Sequence, residues 1–527
     1  MVWRIDDPCG DETGKIRWEL VPYTRGRGLD LGCGPSKAFD HFIGVDNYTD
    51  TQLFGIQMKP DVVCNVTKLD VFGSASMDFV YSSHCLEHIA PEKVESTLKE
   101  WMRVVKPSGY LLLYLPDEDE YPKCGEEGAN PDHKWNVNYE RVVTYMKAAG
   151  SWELVRFEKR NQGMEYSLFF VFKKRTDGKH LFSHDKPRPE KKAAIARYGA
   201  IGDAIQASSL FPGLKEQGFH VTVYCNPRTH EVLQHDPNVD EFYIQDTDQV
   251  PNHLLGEFWK NEAAKFDRWI NLSETVEGAL LALPGRTAYM WPQGARHKAL
   301  NHNYMELAHE IAQVPLPVRQ KFYPSPEEKA WAKKERAKFG GDFLVMYSLS
   351  GSSVHKVWPY MDGLIARIMI TMKDARVVTV GDGLSTMLEA GWENEPRLIR
   401  KSGKYTIRET LSLLEECDMV IGPETGVLNA AANLSVPKVV FLSHSSSENL
   451  TKHWVNTKAL EPKNTECFPC HRLIYEWSQC NRDDSTGVAK CASDIGLEDA
   501  WEAVQAFIPS HQVALPRKPV IRLKEVA

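Results

Sequence analysis

Four sets of residues have types and spacings suited to chemistry. The run Ser83-His84-Cys85-Leu86-Glu87-His88, with His133 further along, offers imidazoles and a carboxylate for proton transfer near neutral pH. A glycine turn, Gly32-Cys33-Gly34, is followed by an acid, Asp46, that closes an apolar run. Asp203 ends a second glycine turn, Gly199-Ala-Ile-Gly-Asp203; Lys356 stands beside Trp358-Pro359, and Glu424-Thr425-Gly426 follows a third apolar run. A carboxylate able to take a proton and a lysine able to neutralise a departing phosphate suit group transfer. Each also has a plainer reading: Asp203 as a helix N-cap, Lys356 as a solvated lysine, Glu424 as a capping acid. The fourth set is Cys467, Cys470, Cys480 and Cys491. Its Cys-x-x-Cys pair suits two ligands of a structural zinc, with disulfides or packed free thiols as the alternatives.

The elements that must position these groups follow from hydrophobic patterning. Gly28–Leu31 and Phe42–Asp46 read as buried strands, Met77–His84 as a strand ending in polar residues, and Tyr110–Pro116 as another buried strand. From Pro91 an amphipathic helix places Val94, Leu98, Trp101, Met102 and Val105 on one face. Glycines at the first turn let backbone approach a ligand, and a carboxylate ending the second strand is placed for ribose hydroxyls.

The strings Asp-Leu-Gly-Cys-Gly from Asp30, His-Cys-Leu-Glu-His-Ile from His84 and Arg-Val-Val-Lys-Pro-Ser-Gly from Arg103 occur in that order. Together they resemble class I S-adenosylmethionine-dependent methyltransferases over roughly the first 175 residues. The resemblance implies a Rossmann-like domain that binds S-adenosylmethionine. Asp30, Gly32, Gly34, Asp46, Asn65 and Val66 would form the cofactor set: the glycines pass the methionine moiety, Asp46 holds the ribose, and Asn65 and Val66 flank the adenine. His84 and His133 would line the acceptor pocket, with His88 and Glu87 as further candidates.

Charges and two prolines before Lys191 read as a surface linker. The pattern then restarts: Lys192–Ala196 is a strand, Asp203 opens a helix to about Gln217, and His220–Cys225 and Phe266–Asn271 are strands. Phe343–Tyr347 runs into Ser348-Leu-Ser-Gly-Ser-Ser353, Arg376–Val380 ends at Gly381-Asp382-Gly383, and Met419–Pro423 leads to Glu424 and a helix from Val427 to Leu434. The Glu-Thr-Gly turn at that helix start reads as an anion site. The motifs Gly199–Asp203, Lys356-x-Trp-Pro359 and Gly422–Gly426 resemble glycosyltransferase family nine, the heptosyltransferase family, over about residues 192 to 508. The resemblance implies a GT-B fold of two Rossmann-like domains and inverting transfer from a nucleotide-activated, ADP-heptose-like sugar, without a metal. Asp203 would be the general base and Lys356 the group that neutralises the leaving diphosphate. Ser352, Ser353, Lys356, Asp382, Glu424, Thr425, Gly426 and Asn429 would hold the nucleotide sugar. The family usually has Asp where Glu424 stands and His where Asn429 stands, which leaves the donor's identity open.

The α/β architecture expected is therefore a methyltransferase domain over 1–175, a linker over 176–191, GT-B halves over 192–335 and 336–510, and a tail over 511–527. At 527 residues with net charge −8, and with no long basic run, the chain reads as a multidomain enzyme with no nucleic-acid partner. No apolar run spans a bilayer and no signal peptide is visible, so a cytoplasmic protein with at most peripheral membrane contact is expected. The function expected is a bifunctional transferase acting on a glycan or glycolipid acceptor, as in lipopolysaccharide modification. The rivals are one active half beside a degenerate binding module, or a modifier of nucleic acid or a small natural product.

Overall fold

The computed structural model describes residues 12–47, 52–53, 56–57, 60–184, 191–246, 249–275, 291–315, 317, 319–472 and 480–509. The tail expected over 511–527 lies outside the described residues. The chain divides into two compact units: the residues up to Glu190 with Ile244–Lys265, and Lys191–Tyr243 with the residues from Phe266 on.

In the first unit, strands β1 (Gly28–Leu31), β2 (Ile43–Asp46), β3 (Val62–Val63), β4 (Met77–Ser83), β5 (Val105–Pro116), β6 (Trp152–Arg160), β7 (Ser167–Lys174) and β8 (His180–Phe182) form one sheet. Its order is β8-β6-β7-β5-β4-β1-β2-β3. β1 runs parallel to β2 and β4, and β4 to β5, while β7 is antiparallel to β5 and β6. β1 and most of β5 are buried on both faces, as parallel strands covered by helices must be. Helix α1 (Glu12–Leu20) precedes the sheet; α2 (Pro91–Val104) buries Val94, Leu98, Trp101 and Met102, and α3 (Tyr139–Ala149) buries Val142, Val143 and Met146. Strand order reverses about β1, so the loops after β1 and β4 open on the crevice where such folds bind ligands.

Two boundaries differ from the expectation. The stretch 176–191 is not wholly a linker: His180–Phe182 pairs parallel with Trp152–Leu154. The His180 and Phe182 rings lie 4.7 and 5.4 Å from Trp152, and this aromatic packing outweighs the polar surroundings. Ile244–Lys265 belongs to the first unit rather than to a domain running through 192–335. Phe258 packs 5.8 Å from Trp18, Gln249 Nε2 donates to Val21 O at 2.5 Å, and Arg25 Nε donates to Asp246 Oδ1 at 3.1 Å.

That attachment centres on Glu19, which contacts Arg156 Nη2 at 2.5 Å and Lys265 Nζ at 3.0 Å. Burial pushes its carboxyl up, but Arg156 and Lys265 outweigh it and hold it at about 2, below the ordinary 4.5. A depressed acid stabilises above its unfolded pKa and loses that contribution as pH falls toward its folded value. The shift corresponds to about 3 kcal/mol at neutral pH, of which about 2 is lost between pH 5 and 3. Glu19→Gln is therefore expected to melt well below the wild type at pH 7, with the gap narrowing from pH 5 to 3. A gap independent of pH in melting curves would show that charge pairing at Glu19 is not the source.

In the second unit, β9 (Lys192–Ala196), β10 (His220–Cys225), β11 (Glu241–Ile244) and β12 (Arg268–Asn271) form a sheet in the order β11-β10-β9-β12. β9 is parallel to β10 and β12. The helix expected from Asp203 to Gln217 is broken into α4 (Ile201–Ala207), a 3₁₀ turn at Ser208–Leu210 and a short helix at Phe211–Glu216. Pro212 cannot donate, so the ladder restarts there. A second sheet holds β13 (Phe343–Ser348), β14 (Ala375–Val380), β15 (Leu398–Arg400), β16 (Met419–Pro423), β17 (Lys438–Phe441) and β18 (Thr457–Leu460). Its order is β15-β14-β13-β16-β17-β18, parallel throughout. Helix α5 (Gly426–Ala431) follows β16 and is shorter than the expected 427–434. The α/β class holds for both units: one mostly parallel sheet in the first and two sheets in the second. Among the described residues no helix is long and apolar enough to cross a membrane.

Candidate functional sites

In the first unit the β1–α turn is built for close approach. Gly32 and Gly34 sit at φ +72° and +56°, a region that disfavours a Cβ. Gly32 N donates to Val45 O at 2.8 Å, and Gly34 N donates to Asp46 Oδ2 at 3.0 Å, so the turn is laced to the end of β2. Asp46 Oδ1 also accepts from Asn47 N at 2.6 Å. Asp30 is buried and accepts from Ala38 N at 2.9 Å; burial raises its carboxyl to about 7. Through that bond it braces the turn after β1. Asn65 Oδ1 accepts from Thr67 N and Thr67 Oγ1 at 2.9 and 2.8 Å, an Asx turn. Its carbonyl is already committed, so the adenine contact expected of it needs a change of partner. Val66 supplies its carbonyl to Trp101 Nε1 at 2.7 Å.

The loop after β4 gathers the other candidates. His84 takes φ +45°, and its Nε2 lies 3.0 Å from Ser167 Oγ. A 3₁₀ turn, Leu86–His88, carries Glu87; Lys134 N donates to Glu87 O at 2.8 Å, and Trp135 Nε1 to Leu86 O at 3.2 Å. This brings His84, His88 and His133 around one carboxylate: Glu87 Oε1 is 3.6 Å from His84 Nδ1, 3.9 Å from His88 Nε2 and 3.7 Å from His133 Nε2. Glu87 is fully buried. Burial lifts it to about 8 and Glu12 adds to the rise, against its own backbone N–H. Burial likewise lowers His84 to about 3 and His133 to about 4, so both are neutral at pH 7. The rings of Tyr121 and Tyr166 lie 5.3 Å from His133 and 5.6 Å from His84, making an aromatic wall.

In the second unit a cavity of about 560 Å³ is lined by Asp203, Lys356, Asp382, Glu424, Thr425 and Gly426, from distant parts of the chain. α4 and α5 meet at their starts: a Cβ on Gly426 would stand 2.5 Å from Ile201 Cγ2, and one on Gly202 3.0 Å from Asn429 Nδ2. Asp203 Oδ1 is 2.9 Å from Arg197 Nη2, and Oδ2 accepts from Ala200 N at 2.6 Å. It therefore caps α4 and lines the cavity at once. Glu424 Oε1 accepts from Ser443 N, Ser443 Oγ and His444 N at 2.9, 2.6 and 2.8 Å, and His444 Nδ1 lies 2.6 Å away. Burial pushes Glu424 up, but His444, Lys356 and Ser443 prevail and hold it well below the usual range. Asp382 Oδ1 accepts from Ser385 N at 2.9 Å, shaping its own turn.

Two expected nucleotide-sugar contacts are otherwise employed. Ser353 is buried with Oγ 2.9 Å from His355 Nε2; Ser352, not Ser353, lines the cavity. Asn429 reaches the cavity wall, yet its Oδ1 accepts from Gln206 Nε2 at 3.1 Å and its Nδ2 donates to Thr425 O at 3.0 Å. Gln320 Nε2 also donates to Asn429 O at 2.6 Å, so Asn429 pins the two halves together. With six residues α5 has a weak dipole, and Lys356 supplies the positive charge at this end. His444, Tyr304 and Arg228 also line the cavity and were not singled out from sequence. His444 follows β17 at its carboxyl end, the usual place for ligand-facing residues in parallel sheets.

The four cysteines lie near one another: charge on Cys467, Cys470 and Cys480 adds to the burial that raises the Cys491 thiol. Among the described residues, the one trio of metal-capable ligand atoms within 4.8 Å of each other is Glu87, His88 and His133, not three of these sulfurs.

Residues 29–113 match the family model described as a methyltransferase domain. That stretch lies within the first unit and spans β1 to β5. A comparison with curated proteins returned no match. Among solved structures the chain is similar to a glycosyl transferase family 9 protein from Veillonella parvula (15% identity, 60% of this chain and 97% of that one, TM-score 0.45). It is similar to the ADP-heptose lipopolysaccharide heptosyltransferase II of E. coli (16%, 60% and 98%, TM-score 0.43). Over 31% of its length it is similar to 92% of a SAM-dependent methyltransferase from Archaeoglobus fulgidus (20% identity, TM-score 0.24).

Proposed function

We propose that the chain is a bifunctional transferase, with a S-adenosylmethionine-dependent methyltransferase in the first unit and an inverting glycosyltransferase in the second. The observation that carries the second half is the convergence of Asp203, Lys356 and Glu424 on one cavity. In that chemistry the acceptor hydroxyl attacks the anomeric carbon, its proton passes to Asp203, and the diphosphate departs with the bonding pair toward Lys356. Glu424, Thr425, Gly426, Ser352 and Asp382 shape the donor end, for an ADP-heptose-like sugar. The acceptor is a glycan or glycolipid, met in the cytoplasm or at a membrane surface. Nucleic acid is not among the partners proposed.

The first half rests on the family match and the turn geometry. The left-handed Gly32–Gly34 turn and Asp46 fit the cofactor: they would hold its methionine end and ribose, with Val66 and Asn65 toward the adenine. Bound S-adenosylmethionine supplies a sulfonium methyl group; the chain contributes orientation and a pocket walled by His84, His133 and tyrosines. A structural zinc is proposed for Cys467, Cys470, Cys480 and Cys491. The thiol set suits it, and the sulfurs must draw closer to ligate it.

Native mass spectrometry of the full chain tests all three. One equivalent each of S-adenosylhomocysteine and of ADP-sugar is expected to add mass, with a zinc retained without added metal. Failure of ADP-sugar and other nucleotide sugars to bind, with S-adenosylhomocysteine bound, would leave a methyltransferase joined to a degenerate half.

A further inference from the structure

Glu87 is the residue whose burial the cofactor reading does not explain. Its side chain is 0% exposed, and neither carboxylate oxygen has a hydrogen-bond partner on any other described residue. A buried carboxylate left in that state is strongly unfavourable, and such groups are normally paired or ligate a metal. Three imidazoles face its Oε1 at 3.6–3.9 Å, beyond hydrogen-bond range. The ligand atoms of Glu87, His88 and His133 lie within 4.8 Å of one another. In a four-coordinate site with bonds of about 2.0–2.1 Å, neighbouring ligand atoms stand about 3.3 Å apart. The trio thus needs to close by roughly half an ångström at the contacts given.

We propose that Glu87, His88 and His133 hold a divalent transition-metal ion, and that this ion binds the methyl-acceptor hydroxyl. Two imidazoles and a carboxylate suit the manganese-to-zinc series, and three protein ligands leave positions for a substrate oxygen. The surrounding contacts are those of a ligand set. The His88 and His133 rings meet edge-on at 4.9 Å, and the carbonyl of Glu87 is fixed by Lys134 N. His88 is 35% exposed on its side chain, so ion and acceptor can enter from solvent. His84, held at Nε2 by Ser167, directs Nδ1 toward the same carboxylate, 3.6 Å away.

The role in transfer rests on the methyltransferase reading. The metal-bound hydroxyl releases its proton to water, its oxygen lone pair forms the O–CH₃ bond, and the S–CH₃ pair stays on sulfur, giving the neutral thioether. The ion's part is to make the oxygen a nucleophile at neutral pH.

The test uses the full chain after chelation and Mn²⁺, an ion that thiolates hold poorly, so the cysteine cluster does not compete. The electron-paramagnetic-resonance signal of free Mn²⁺ is expected to fall by one equivalent with wild-type protein. Glu87→Gln, which keeps the shape and removes the charge, and His133→Asn are each expected to weaken uptake at least tenfold. Equal uptake by wild type and both variants, or no uptake of Mn²⁺, Co²⁺ or Zn²⁺ attributable to Glu87, overturns the site. S-adenosylhomocysteine binding is read on the same samples by calorimetry. Mn²⁺ uptake lost in the variants while the thioether binds unchanged supports the proposal. Uptake without any thioether binding keeps the ion site and fails the methyl-transfer reading instead.

Discussion

Gly32→Arg is expected to abolish binding of S-adenosylmethionine, with no heat detected at concentrations that saturate the wild type. Gly32 sits at φ +72°, and a Cβ built there would lie 2.5 Å from Cys85 Sγ and 2.7 Å from Cys85 Cβ. Any side chain thus incurs about 1–3 kcal/mol of backbone strain and must also move the loop that carries Glu87. Arginine adds a long cation where the methionine end of the cofactor is proposed to lie. Cys85 is short and tied to its backbone, so it cannot swing clear as a lysine would. Gly32→Ala meets the same clash without the bulk and is expected to bind more weakly than wild type but measurably. Intact cofactor binding by Gly32→Arg would remove the turn from the cofactor site.

How far the sequence could be read depended on whether a signal was local. The buried end of β5 was readable because Tyr110–Pro116 is a continuous apolar run, and the turn after β1 because left-handed backbone selects glycine. The α/β class followed from such runs recurring between helices. What escaped depends on partners far along the chain. Nothing near Phe258 or Lys265 indicates that they pack on Trp18 and pair with Glu19, about 240 residues earlier. Ser353 belongs to a small-residue loop of the kind that cradles phosphate, yet its hydroxyl turns inward because His355, two residues on, is buried beside it. Asn429 reads as a donor contact by position, whereas Gln206 occupies its amide oxygen and Gln320 its backbone carbonyl. His444 has no motif of its own; its place comes from ending β17 against Glu424.

The second large effect is expected at Asp203, where substitution should cost glycosyl transfer about 10²–10⁴-fold in kcat, the range for loss of a general base. The geometry decides which substitution isolates that role. Asp203→Ala removes the cap on Ala200 N and the carboxylate facing Arg197, whose side chain is 2% exposed. It is therefore expected to lower the melting temperature as well as the rate. Asp203→Asn can still accept from Ala200 N but cannot take a proton. It should lose the rate with a smaller change in melting, and bind the nucleotide-sugar donor as the wild type does. The competing base is His444: its Nδ1 is held 2.6 Å from Glu424 Oε1, its other ring nitrogen remains for a proton, and it also lines the cavity. If His444 accepts the proton, Asp203→Asn retains most of its kcat and His444→Gln loses it; if Asp203 does, the order reverses. Glu424 is expected to be needed in both cases. It orients His444 in the first, and in the second it keeps Ser443 and His444 in place around a donor whose charge Lys356 meets.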